Sequence, residues 1–249
     1  MTKRMSVEEL KTHINEAIEQ LKSFLHSISE NNKKKAMLIA YWIKTYVFFQ
    51  KIEDDFNPKS LIRYKKGNIV LVDFGFRVGK ELGGLHYAIV LDNENSYSSH
   101  VITVVPLTSL KNTYKPNKYT VLLKDGIYNP IFNKTKEITN QAKNIITESK
   151  RITEQLQNTK DPQERHELAN KVHANSLAAD ILLSKAKKHV SFIESTKDGS
   201  IANLTQITTI SKIRIKAPIN NKHILYKLKI SEQDMKDIDS GLKDLYFHK

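Results

Sequence analysis

The segment Arg77-Val78-Gly79-Lys80-Glu81-Leu82-Gly83-Gly84-Leu85-His86 gathers two cations, a carboxylate and an imidazole around three glycines. Arginine and lysine offer positive charge to an anion, while an imidazole takes up or releases a proton near neutral pH. Two further stretches carry polar groups at the ends of apolar runs: Val104-Val105-Pro106-Leu107-Thr108-Ser109, and Gln206-Ile207-Thr208-Thr209-Ile210-Ser211-Lys212. The chain has no cysteine, which removes disulfide frameworks, zinc ribbons, iron–sulfur clusters and thiol nucleophiles. Catalysis must then use oxygen, nitrogen or charge. A net charge of +13 over 249 residues, spread along the chain, favours a polyanionic partner, because neutralised phosphates release condensed counterions. With no cluster of ligands for a divalent ion in the sequence, these groups suit work on a phosphodiester.

The elements that must position them follow from hydrophobic period. Ser6 with Glu9 has capping-box spacing, and Leu10, Ile14, Ile18, Leu21 and Leu25 recur every three or four residues, predicting a helix from Val7 to Ser27. Its expected partner is a core helix from Lys33 to Ile52. That segment is interrupted by Lys44 and falls short of the roughly 20 apolar residues of a bilayer span. Asn57-Pro58 breaks the pattern, and from Gly67 to Leu123 short runs rich in Val, Ile, Tyr and Phe predict four strands of a small antiparallel barrel. Gly67, Gly75, Gly79, Gly83 and Gly84, of eight glycines in the chain, crowd around the first connection. Helical period returns from Glu137 to His189 with a turn at Asn158 to Pro162, predicting an antiparallel hairpin. Short strands follow at Ser200 to Leu204 and Lys212 to Ile215, then a last helix capped by Ser231. The start MTKRMSVEEL has no apolar stretch after its basic residues, so a cytoplasmic protein is expected.

The strand ending Val72-Asp73, the loop Val78-Gly79-Lys80-Glu81-Leu82-Gly83-Gly84 and the strand end Pro106-Leu107-Thr108-Ser109 together resemble the MazF/PemK family of toxin endoribonucleases. Gln206 to Lys212 and the helix after Ser231 are similar to that family's later motif and closing helix. The resemblance covers roughly residues 64 to 125 and 198 to 247. It implies an α+β fold on an SH3-like antiparallel β-barrel, a homodimer, cleavage of single-stranded RNA without metal or cofactor, and an antitoxin protein that silences it. No membrane role is implied. The organisation expected is an N-terminal helical region over 1–56, a barrel with C-terminal helix over 64–135 and 191–249, and an inserted hairpin over 136–190.

RNA carries its own nucleophile, since the 2′-hydroxyl is tethered beside the scissile phosphorus. The protein has only to orient the backbone, move protons and stabilise phosphoryl charge. By the resemblance, Thr108 touches the reacting phosphate, with Ser109 beside it, and Glu81 serves as base or orients a basic side chain. His86 stands where the family has arginine, which changes fixed charge into a proton carrier. Arg77 and Lys80 can supply the missing charge. Gln206 holds its turn or contacts RNA, and Thr208 and Thr209 stand where an arginine is often found. Of Phe74, Phe76 and Tyr97, at least two are expected in the core rather than stacked on bases. Two other readings stay open: a catalytically weakened RNA- or ribosome-binding module on the same barrel, and a scaffold acting through its helices.

Overall fold

The computed structural model describes residues 5–124, 126–195 and 199–247; the Met1–Arg4 stretch, read above for a leader, lies outside them. Residues up to Asn57 together with Asp73–Leu85 make one compact unit, and Pro58–Val72 with the chain from His86 onward make another.

In the first unit, α1 (Val7–Ser29) starts as its spacing dictates. The Ser6 hydroxyl accepts from the Glu9 amide at 3.2 Å and the Glu9 carboxylate accepts from the Ser6 amide at 2.7 Å, so two otherwise orphaned donors are satisfied. The helix α2 (Lys33–Ile52) is capped by Asn32, whose side-chain oxygen accepts from the Lys35 amide. The two helices pack on each other, yet no residue of α1 becomes buried, and in α2 only Ile39 and Phe49 do. The expectation of a buried core helix at Lys33 to Ile52 is therefore corrected. One neighbouring helix covers a single stripe, and α2 is apolar around most of its circumference. Among the described residues no helix is long and apolar enough to cross a membrane.

In the second unit, β-branched runs form the strands β1 (Ile69–Asp73), β2 (Leu85–Val90), β3 (Val101–Ser109), β4 (Thr120–Leu123), β5 (Ser200–Asn203), β6 (Thr208–Ser211) and β7 (Ile215–Ala217). They pair antiparallel in the order β4-β5-β3-β2-β1-β7, with β6 also on β3. The long β3 changes partner along its length: Val101 to Val104 pair with β6, and Leu107 to Ser109 pair with β5. Pro106, which has no N–H to give, falls in the gap between those two pairings, where its missing donor leaves no rung unmade. The sheet is open among the described residues, with β4 and β7 at its ends, whereas the sequence predicts a closed barrel. End strands of four and three residues give too short a ladder to join.

The segment Gln206 to Lys212, read as a turn, contains β6. The core gathers Ile69, Ile89, Val105, Leu107 and Leu204 from the sheet side with Ile127, Ile131 and Ile238 from the helices. Ile238 belongs to α5 (Glu232–Tyr246), capped by Ser231, whose hydroxyl accepts from the Asp234 amide at 3.1 Å. The Asp234 side chain then accepts from the Lys124 amide at 2.9 Å and ties α5 to the end of β4.

The helices α3 (Tyr128–Asn158) and α4 (Pro162–Ser195) run side by side in opposite directions. Arg165 reaches back to the Leu156 carbonyl near the turn, and at the other end Thr135 meets His189. Against the hairpin expected over 136–190, α3 begins eight residues before 136, at Tyr128, and α4 ends at Ser195. Ile127 and Ile131 lie in the sheet core, with Phe192 and Ile193 packed against it, so both feet of the helical pair are rooted there.

Candidate active site

β2 and β3 bring two of the candidates together. Ala88 pairs with Pro106, Ile89 with Val105 and Val90 with Val104; two further steps along the same register set His86 across from Thr108. The imidazole confirms the approach, with Nδ1 3.1 Å from the Leu107 carbonyl oxygen. A carbonyl only accepts, so Nδ1 carries the proton of the neutral ring and Nε2 keeps its lone pair. His86 and Thr108 are both half-buried.

Thr108 is held from the other side of β3. Its Oγ1 accepts from the Asn203 side-chain amide at 3.2 Å, so its own hydroxyl proton is left for another acceptor. Asn203 ends β5, which pairs with β3 through Thr108–Ile201 and Ser109–Ser200. Sequence reasoning missed Asn203, which stands in no motif. Ser109 closes β3 in an exposed position. Gln206 is half-buried in the 3₁₀ turn after β5. Thr209 meets the Thr103 hydroxyl at 3.1 Å and so ties β6 to β3. Lys212 is a buried strut, donating from Nζ to the Ser96 carbonyl at 2.9 Å, and burial lowers its pKa against the opposing pull of Asp92.

The remaining candidates belong to the other unit. Asp73 accepts from the Gly75 amide, Phe74 donates to the Gly84 carbonyl at 2.8 Å, and Gly84 donates to the Gly75 carbonyl at 2.7 Å. These bonds close the stem of the glycine-rich loop. Arg77 Nε donates to the Phe74 carbonyl, and its guanidinium lies 3.9 Å from the Glu81 carboxylate, both partly in solvent. An ion pair this long and this wet contributes little, so it orients more than it binds. Lys80 is exposed at the loop's tip.

A cleft of about 410 Å³ separates the loop from α2, with Tyr41 and Trp42 on one wall and Phe76, Arg77 and Glu81 on the other. The Trp42 ring lies directly on Gly75. Phe74 is buried, while Phe76 and Tyr97 are 36% and 47% exposed. This corrects the expectation that at least two of the three are core.

The candidates thus form two groups, His86, Thr108 and Ser109 with Gln206 nearby in sequence to Asn203, and Arg77, Lys80 and Glu81 in the loop that leads into β2. Among the described residues no group of three or more histidines and carboxylates is placed to hold a metal ion.

Residues 65–173 match the family model described as PemK-like, MazF-like toxin of type II toxin-antitoxin system. The match starts just before β1 and runs past β4 through α3 into α4, further into the helices than the motifs alone reach. No curated protein matches the chain.

Proposed function

We propose, from the match of residues 65–173 to the PemK-like, MazF-like toxin model, that the chain is a toxin endoribonuclease that cuts single-stranded RNA without a metal ion. Its 2′-hydroxyl oxygen attacks the adjacent phosphorus, the bond to the 5′-oxygen breaks, and the products are a 2′,3′-cyclic phosphate and a 5′-hydroxyl that takes its proton from water. His86 Nε2 accepts the 2′-hydroxyl proton. Thr108 donates its hydroxyl to a phosphoryl oxygen, with Ser109 beside it. Arg77 and Lys80 bring positive charge from the loop, Glu81 orients Arg77, and Gln206 holds the turn beyond Asn203. The protein acts in the cytoplasm as a homodimer and is restrained by an antitoxin protein.

One observation carries the reading: a carbonyl-anchored imidazole set across two strands from a hydroxyl whose proton is free to donate. A general base and a phosphate donor on one strand pair support this reading, because in-line transfer demands that both be held in fixed positions. The test is incubation of purified protein with mixed-sequence RNA in EDTA, with the product ends analysed. Cyclic phosphate ends are expected, and His86→Ala and Thr108→Ala each abolish them. Intact RNA that nonetheless binds would replace this reading with the weakened binding module.

A further inference from the structure

Beside β1, at the end of β2 remote from His86, lies a cleft of about 450 Å³ with no part in the chemistry above. Arg63, Lys65, Lys227 and Lys229 line it with Tyr97 and Tyr226, and among the described residues no carboxylate does. The backbone around it is stitched. The Lys65 amide donates to the buried Asn68 side chain at 2.7 Å, and that side chain donates onward to the Leu228 carbonyl at 3.1 Å. Lys134 reaches over from α3 to bond the Tyr226 carbonyl at 2.6 Å. In the turn so held, Lys227 has φ 58°, a left-handed conformation that side-chain-bearing residues rarely adopt. Its ammonium lies 5.2 Å over the Tyr226 ring.

We propose that this cleft is a second RNA-binding site, which holds the single strand some distance from the bond being cut; the proposal takes its RNA substrate from the function argued above. Four cations gathered with no carboxylate among the described lining residues repel one another until an anion joins them. Charge alone would suit any polyanion. The two tyrosines decide for nucleic acid, because single strands are held by a basic groove that tracks the phosphates and by aromatic faces on which bases stack. Gly67 and Asn68 bond to Val90, and His86 lies four residues back along β2, about 13 Å at 3.3 Å per residue. A strand reaching both sites must therefore extend beyond a dinucleotide.

The test uses the intact chain and an uncleavable 2′-O-methyl oligonucleotide of about a dozen nucleotides, within the span single-strand sites cover. Binding is followed by fluorescence anisotropy across salt concentrations. Each lost phosphate contact should lower the log–log salt slope by about 0.7, so combined Arg63→Gln, Lys65→Gln and Lys229→Gln should lower it by about 2. Tyr97→Ala should weaken binding about 5- to 100-fold, as loss of a stacked base does, and Tyr97→Phe should restore it. In parallel, cleavage of a dinucleotide should be unchanged in these variants while KM for the longer RNA rises. An unchanged salt slope, indifference to Tyr97→Ala, or displacement by polyglutamate as effective as by RNA would each overturn the proposal. If neither substrate is cut yet the oligonucleotide binds as described, the endoribonuclease reading fails and the cleft stands.

Discussion

Replacing Gly75 with alanine should open the glycine-rich loop, and Gly79 provides the control that separates two causes. Both have positive φ, +72° and +62°, so alanine at either pays the left-handed backbone penalty of about 1–2 kcal/mol. Beyond that the sites differ. A Cβ at Gly79 meets nothing within 4 Å, but one at Gly75 would lie 2.5 Å from two carbons of the Trp42 ring. That ring is hemmed in by Tyr46 and Phe49 at centroid distances of 6.2 and 6.3 Å, so it cannot swing away freely. Overpacking of this kind costs about 1–3 kcal/mol. Gly75→Ala should therefore destabilise loop closure by about 2–5 kcal/mol, against about 1–2 for Gly79→Ala.

Amide hydrogen exchange at Phe74 and Gly84 reads this directly, since their N–H groups make the stem bonds. At about 1.4 kcal/mol per tenfold, the extra cost of about 1–3 kcal/mol at Gly75 should speed their exchange about 5- to 140-fold more in Gly75→Ala than in Gly79→Ala. Adding Trp42→Ala should remove the excess and leave the backbone penalty alone, a coupling of about 1–3 kcal/mol. Trp42 is the chain's single tryptophan, so its emission reports the displaced ring without interference. Equal exchange rates in the two glycine variants, or a cycle that adds within about 0.5 kcal/mol, would refute the claim that α2 clamps the loop.

The remaining predictions concern buried polar groups. His189 is 1% exposed, and burial together with Lys134 and Lys185 pushes its pKa down to about 4. Thr135 gives its hydroxyl proton to the Ile131 carbonyl and so accepts from His189 Nδ1, while Nε2 is buried without a partner. Above the ordinary histidine pKa of about 6.5 both folded and unfolded forms are neutral and the group is silent. Between that and about pH 4 only the unfolded chain is protonated, so stability should fall by about 3 kcal/mol in all. His189→Gln should flatten this acid limb in urea unfolding series; an unchanged pH slope would sink the argument. Lys212→Met should lower Tm, because the hydrogen bond from Nζ to the Ser96 carbonyl, worth about 0.5–1.5 kcal/mol, is lost, while the folded variant cuts RNA at the parent rate. A catalytic deficit without loss of stability would instead make Lys212 part of the chemistry.

The parts of this fold legible in the sequence are those whose signal is local. Ser6 with Glu9 and Ser231 with Asp234 announce helix starts because a cap is a short-range bond between neighbours in sequence. The four strands from Ile69 to Leu123 were legible because β-branched runs stood between turn residues. The start of α3 was hidden by Asn129-Pro130, which reads as a break although proline is tolerated in a helix's first turn. β6 was hidden too, since four residues of modest hydrophobicity become a strand only through β3, about a hundred positions away in sequence. In the site, charge and glycine marked Arg77, Lys80, Glu81 and His86. Asn203 could not be marked, because its role depends wholly on which strand lies beside Thr108. Trp42 was equally silent, lying on a helix with apolar residues on nearly every side.

Asn203 and Trp42 have a further property in common. The family match spans 65–173, and both lie outside it, although each braces a residue inside: Asn203 bonds Thr108, and Trp42 covers Gly75. β5 supplies the second half of β3 with its ladder on that side, so a chain ending at 173 would leave Thr108 on an unpaired strand end with its hydroxyl rotamer unfixed. A chain starting at 65 would strip the cover from Gly75 and leave the loop to its stem bonds alone. In the proposed mechanism, the groups assigned to chemistry and the groups that fix their geometry are thus carried by different stretches of the chain. Because a general base and a phosphate donor are effective only when held within a fraction of an ångström, the proposed mechanism needs more of the chain than the matched segment on both sides.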